Sequence, residues 1–246
     1  MTHSKTRGEY VPGMRAMPRP DAAELADQLI RDWEHKRIKL RGKRSEPAEI
    51  PPAICFSRKI GSGALEIADL LAEKIHFRVV DRELLEYMAK DKDLREKTVA
   101  FFDERYPGKI SELGAMLLGE KSFILSDYVK NLIRAAYAFA TMGSTVFVGR
   151  GAHLILPRNR VLAVRAICSE KYRIERLSRL LNIEQDEAAN ILPKIDQEQR
   201  AFFKKAFGKK DASPYEFDVI INLDFFTGPQ AAAEVVACAF KAKFPA

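Results

Sequence analysis

The chain has 246 residues, 47% hydrophobic and 30% charged, with a formal net charge of +7. That length gives one generous domain, or one domain with an appendage, able to bury a sizeable core, and it excludes disorder of the whole chain. No apolar stretch reaches the roughly 18 residues of a membrane span, and the opening residues lead into no apolar signal core. Cys55, Cys168 and Cys238 form neither a CxxC pair nor a disulfide framework, so a cytoplasmic, soluble protein without a structural zinc site is expected. The basic balance fits nucleic acid, an anionic membrane surface or a small phosphorylated ligand, and composition does not choose among them.

Charge is uneven along the chain. Residues 1–50 hold 11 Lys and Arg against 8 Asp and Glu, and Lys36, Arg37, Lys39, Arg41, Lys43 and Arg44 fall within nine positions. The first twenty residues, rich in Pro, Gly, Arg and Met without a period, read as a flexible tail. Asp21 and Glu24 then form a capping-box pattern, and Ala22, Leu25, Ala26, Leu29 and Trp33 follow at helical spacing, which predicts an amphipathic helix over about 21–38. Its apolar stripe needs a cover: the main domain, a second copy in a homo-oligomer, or another protein. Pro47, Pro51 and Pro52 mark a linker. Residues 1–50 therefore read as an extension and 51–246 as the main domain.

Beyond the linker, apolar runs alternate with helical periods. Residues 53–57 predict a buried strand, Gly61-Ser62-Gly63 a turn and Ala64–Ile75 a helix, followed by a strand over 77–80 and a short helix over 82–89. Helical patterns fill much of 94–142, with breaks near Pro107-Gly108 and Gly119. Thr145–Val148 and Val161–Ile167 are the third and fourth strands, and Glu170–Leu181 is a helix. Residues 184–207 read as one or two helices broken or kinked at Pro193, 217–222 as a fifth strand and 228–241 as a closing helix. Strands separated by helices imply βαβ units and a mainly parallel sheet covered on both faces.

The turn after the first strand carries the clearest chemistry. A strand, a glycine-containing turn and a helix start bring free backbone N–H groups and the positive helix end together, a ready anion site that Gly61 and Gly63 leave open to close approach. It has the outline of a P-loop without its full signature. With Gly63 at the second glycine, Arg58 stands at the first, Ala64 at the lysine and Leu65 at the Mg²⁺-binding hydroxyl. Asp81 either caps the helix that starts at Arg82 or serves a ligand at the strand end. Arg150, between Gly149 and Gly151 at the end of the third strand, offers a planar, permanently charged fork suited to phosphate. Arg173 and Arg176 share a helix face, as do Asp196 and Arg200 at i, i+4, and both sets also read as solvated ion pairs. Lys204, Lys205, Lys209 and Lys210 read as solvated surface, and His153 as a cap or loop histidine near the Arg150 loop.

Six segments in order resemble the cytidylate kinase-like family, a divergent branch of the P-loop nucleoside monophosphate kinases. They are Ser57–Gly63, Val79–Leu85, Val146–Ala152, Arg173–Arg176, Ile195–Arg200 and Phe217–Asn222, and the resemblance covers about 53–240. That branch lacks the P-loop lysine, and this chain departs further with Lys59 for an acidic residue, Ala64 for a glycine and Leu65 for an arginine. The resemblance implies an α/β P-loop-type fold with about five parallel strands, helices on both faces and a helical lid. It also implies ATP and Mg²⁺, with Arg58, Lys59, Gly61, Ser62 and Gly63 at the donor phosphates. Asp81 and Arg82 would enclose the acceptor, with Asp81 able to orient Mg²⁺ through water. Arg150 would meet the acceptor phosphate, and Arg173, Arg176 and Arg200 would close over the developing charge. The activity implied is transfer of the ATP γ-phosphoryl group to CMP, dCMP or a related phosphorylated acceptor. Two rivals stand beside it: a nucleotide-binding sensor without turnover, and an RNA or partner adaptor working through the basic extension. Nucleic acid is disfavoured because only Trp33 offers an aromatic platform near the basic cluster.

Overall fold

A computed structural model of the chain describes residues 23–28, 31, 49–118 and 126–245. Five strands, β1 (Ala53–Arg58), β2 (Arg78–Asp81), β3 (Thr145–Val148), β4 (Val161–Ile167) and β5 (Val219–Asn222), form one parallel sheet in the order β2-β3-β1-β4-β5. The helices are α1 (Ala64–Ile75), α2 (Arg82–Lys90), α3 (Lys92–Arg105), α4 (Lys109–Leu118), α5 (Asp127–Thr141), α6 (Ala152–Ile155), α7 (Glu170–Leu181), α8 (Gln185–Phe207) and α9 (Pro229–Lys243).

The central strands are apolar on both sides because both sides are covered. Ile54, Phe56, Val146, Val148, Leu162 and Val164 face a core shared with α1 and α9. Ala53, Cys55, Phe147, Val161 and Ala163 face the opposite core, built with α2 to α6 and the end of α8. In register, Phe56 lies between Val148 and Val164. The connection after β1 thus leaves on one face, and those after β3 and β4 on the other. A crevice opens at the carboxyl ends of these three strands, where open parallel sheets place ligands.

Helices α7 and α8 form a hairpin with a small core of its own, in which Leu177, Leu181, Ala188, Leu192 and Ile195 surround Ile60 of the β1–α1 turn. Residues 185–207 make one helix and not two, with Pro193 inside it. An interior proline costs about 3 kcal/mol, and the apolar packing on both sides of Pro193 offsets that cost. β5 starts two residues later than expected because Asp218 is occupied elsewhere. Its carboxylate accepts from Arg158, Lys243 and the Ala163 N–H, and these partners hold its pKa down at about 2 despite partial burial.

Of the extension helix, residues 23–28 are helical. Ala26 is fully buried in the α2–α6 core with Leu25 packed beside it, so the main domain covers this part of the stripe. The tail, Trp33, the Lys36–Arg44 cluster and Pro47 of the linker lie outside the described residues. Among the described residues no helix is long and apolar enough to cross a membrane.

Candidate functional site

The β1–α1 turn keeps the features of an anion cradle. Gly61 and Gly63 have φ of 86° and 82°, a left-handed conformation that costs glycine little. The N–H groups of Gly61, Gly63 and Ala64 make no hydrogen bond to another described residue. The Ser62 hydroxyl is fully buried and lacks a partner among the described residues. Lys59 is exposed at the mouth of the turn. A guanidinium nitrogen of Arg58 comes within 3.8 Å of where a Gly149 side chain would start, so Arg58 spans from the turn to the β3 loop. Ala64 and Leu65 are buried against the sheet.

The α7–α8 hairpin, the segment expected as a lid, grips this turn from outside. Arg173 is 3% exposed; its Nε donates to the Ile60 carbonyl at 2.7 Å, and its two terminal nitrogens meet both Asp196 oxygens at 2.9 and 2.6 Å. Gln199 donates to the Arg58 carbonyl at 2.7 Å. Arg176 pairs with Glu66 on the first turn of α1, its Nε 3.0 Å from where a Gly63 Cβ would stand. Arg173 and Arg176 therefore hold protein groups here, and Asp196 pairs with Arg173, not with its helix neighbour Arg200. Of the three arginines expected to close over phosphate, Arg173 and Arg176 are brought to the turn, with Arg173 as the strut that shapes it, and Arg200 lines the cavity beside it.

A second cluster forms where β2 and β3 end. Asp81 caps α2 by accepting from the Leu84 N–H at 2.9 Å, the first of its two sequence readings. Gly149, Arg150 and Gly151 are three successive left-handed residues, with φ of 91°, 51° and 74°. That backbone turns Arg150 inward, 4.0 Å over the Phe202 ring and onto Glu86, which also accepts from Arg82 at 2.7 Å. Burial works against the Glu86 carboxylate, but Arg150 and Arg82 outweigh it and hold its pKa low. Arg150 is pulled down too, by burial first and by Arg82 second, because two guanidiniums share one carboxylate. Arginine stays charged regardless. The cluster carries excess positive charge at the crevice.

Gly151 shows how tightly this loop is built. A Cβ there would lie 2.5 Å from the Phe207 ring. Gly151→Ala is expected to destabilise the protein by about 1–3 kcal/mol, through overpacking added to the left-handed backbone, measured by urea unfolding against wild type.

A cavity of about 130 Å³ lies beside the turn, lined by Ser57, Lys59, His153, Arg165, Arg200, Lys209, Lys210, Asp211 and Glu216 among others. The structure corrects two expectations here. Lys209 is half-buried at this cavity and paired with Glu216, and His153 is buried, whereas Lys204, Lys205 and Lys210 are exposed as expected. Burial depresses the His153 pKa to about 4, with Glu216 opposing and Arg165 and Lys209 reinforcing the shift. The unfolded chain therefore binds a proton below pH 6.5 that the folded chain refuses until about pH 4. Stability is expected to fall as pH drops through this window, by up to about 1.4 kcal/mol per pH unit. His153→Gln should flatten that slope in denaturant titrations at pH 7, 6 and 5.

Glu66, Glu86, Asp196 as the Arg173 partner, Gln199, Phe202 and Arg165 were not singled out for these contacts by sequence. Two had visible signals: Glu86 lies four residues after Arg82, and Arg165 interrupts the apolar run Val161–Ile167. The site residues fit an anion and not a protein-held Mg²⁺. A buried Leu65 stands at the hydroxyl position, and no group of three His, Cys, Asp or Glu among the described residues is placed to hold a metal.

The chain is similar to known proteins over most of its length. An uncharacterized protein from Eubacterium ventriosum ATCC 27560 is similar with a TM-score of 0.61 and 19% identity, over 78% of this chain and 98% of that one. A shikimate kinase from Bacteroides thetaiotaomicron and a gluconokinase from Sinorhizobium meliloti 1021 match at 16% and 14% identity, with TM-scores of 0.39 and 0.41. They cover 78% and 79% of this chain and 96% and 94% of their own. No curated protein matches the chain. The cytidylate kinase-like family matches residues 53–224, from the first residue of β1 to the turn after β5, and so includes every strand and the lid. With its five-stranded parallel sheet, glycine turn and helical lid, the chain belongs to the cytidylate kinase-like family.

Proposed function

We propose that this protein transfers the ATP γ-phosphoryl group to CMP, dCMP or a related phosphorylated acceptor. The observation that carries the reading is that two anion-seeking groups follow neighbouring strands and are linked by Arg58, whose guanidinium comes within 3.8 Å of where a Gly149 side chain would start. The open N–H groups of the Gly61–Gly63 turn follow β1, and the Arg82–Glu86–Arg150 cluster with its excess positive charge follows β2 and β3. Phosphoryl transfer needs positioning and charge neutralisation more than a covalent catalyst.

In this reading the turn N–H groups hold the donor phosphates, and Lys59 supplies the cation absent at position 64. Arg58, which reaches from the turn to Gly149, would bridge donor and acceptor phosphates. Arg150 holds the acceptor phosphate, its fork fixed by Glu86 and Phe202. Anionic phosphates entering the turn compete with Glu66 for Arg176, which gives the lid a charge to close on. ATP is taken with its Mg²⁺ as substrate. The cytosine preference rests on family membership. The test is a panel of nucleoside monophosphates with ATP and Mg²⁺, scored for diphosphate. Formation from a cytidylate supports the reading, and no diphosphate from any monophosphate overturns it.

One observation favours a second reading, nucleotide binding without turnover. Ala64 and Leu65 are buried where the full motif has its lysine and hydroxyl, and Arg173 is locked to Asp196. Saturable ATP binding with no transfer across the panel is the result this reading requires.

A further inference from the structure

Arg165 is an arginine on a central strand, among apolar neighbours, with no carboxylate in ion-pair range among the described residues. Its one hydrogen bond goes from a terminal nitrogen to the Ser57 hydroxyl at 2.6 Å. Burial works against its charge more than the distant Asp211 and Glu216 support it. A partly desolvated guanidinium of this kind is costly unless its remaining donors find an anion, and Arg165 lines the cavity.

The rest of the cavity wall leaves one uncommitted carboxylate, Asp211, which is outside ion-pair range of Arg165. Glu216 is taken by Lys209 at 2.8 Å and by the Ser213 N–H, and Asp196 by Arg173. Lys59, Arg200 and Lys210 have no ion-pair partner among the described residues. The buried His153 Nε2 lies 3.6 Å from a Glu216 oxygen, beyond hydrogen-bond range. Four cations therefore outnumber the one remaining carboxylate, Asp211. At about 130 Å³ the space resembles the ~150 Å³ that holds one benzene.

We propose that this cavity binds a small oxyanion, inorganic phosphate or the head of a small phosphomonoester, with Arg165 as its anchor. The site is separate from the Arg82–Glu86–Arg150 cluster. It borders the donor turn at Ser57 and Lys59, so its occupant sits beside the turn.

The test uses the full-length protein without ATP, titrated with inorganic phosphate and, separately, with glycerol phosphate. The Arg165 side-chain N–H resonance is followed by NMR, and the unfolding temperature is recorded in parallel. The expected result is a saturable shift of the Arg165 signal and a phosphate-dependent rise in unfolding temperature. Arg165→Met is expected to be at least as stable without phosphate, and to bind at the cavity at least tenfold more weakly. Tighter binding of phosphate identifies the free ion as the ligand, and tighter binding of glycerol phosphate identifies a phosphorylated metabolite; both support the proposal. An Arg165 signal that neither ligand moves overturns it, on wild-type protein and without reliance on the variant folding. Because no turnover is measured, the outcome is independent of whether the transfer reaction exists.

Discussion

Replacing Arg173 with alanine is expected to lower the unfolding free energy by about 3–5 kcal/mol, the usual cost of leaving one partner of a buried ion pair uncompensated. The size follows from the geometry. Arg173 is 3% exposed, meets Asp196 with two bonds and donates a third to the Ile60 carbonyl. Ile60 in turn is the residue of the turn that the lid core surrounds. Loss of Arg173 therefore uncouples the lid from the turn as well as exposing an unpaired carboxylate. A paired change separates the two effects. Arg173→Met with Asp196→Leu removes both charges and should recover most of the stability, since an apolar replacement of a buried pair is often neutral or better. It cannot restore the bond to Ile60, so ATP affinity should stay reduced. Urea unfolding and calorimetric ATP titration of the three proteins check this; full recovery of ATP affinity in the double variant would show that Arg173 does not shape the turn.

The second large effect belongs to Arg150. Arg150→Ala is expected to reduce the rate of phosphoryl transfer by about 10²–10³, the range for loss of one preorganised charge-stabilising donor, while ATP binding changes little. Stability should suffer less than in Arg173→Ala, because Glu86 keeps Arg82 as its partner at 2.7 Å. Arg150→Lys should recover only part of the rate, since lysine keeps the charge and loses the bidentate fork and the stacking on Phe202. Rates at saturating ATP, with the acceptor varied, separate acceptor binding from transfer.

The layered fold was legible in the sequence because it rests on local signals. Buried parallel strands are short apolar runs, as in Ala53–Arg58 and Val161–Ile167, and covering helices keep the helical period, as in Ala64–Ile75. The Gly61–Gly63 turn and the Arg150 loop were legible for the same reason, since glycines flag left-handed backbone directly. What pairs with what was not. Arg173 meets Ile60 across 113 positions, Arg176 meets Glu66 across 110, and Arg165 meets Ser57 across 108. The i, i+4 rule suggested Asp196 with Arg200, and tertiary packing of α7 against α8 gave Asp196 to Arg173 instead. His153 and Lys209 were misread because their burial depends on how the 209–216 segment folds back over the sheet, which no local pattern records.

The measurement that bears most directly on the central claim is transfer of labelled γ-phosphoryl from ATP to CMP and dCMP, by micromolar full-length protein with Mg²⁺, beside Arg150→Ala. The expected result is labelled diphosphate from wild type and a loss of at least a hundredfold in the variant, in line with the cost of one such donor. No labelled diphosphate from wild type, under conditions where ATP binds, would contradict the account and leave a nucleotide-binding protein without turnover.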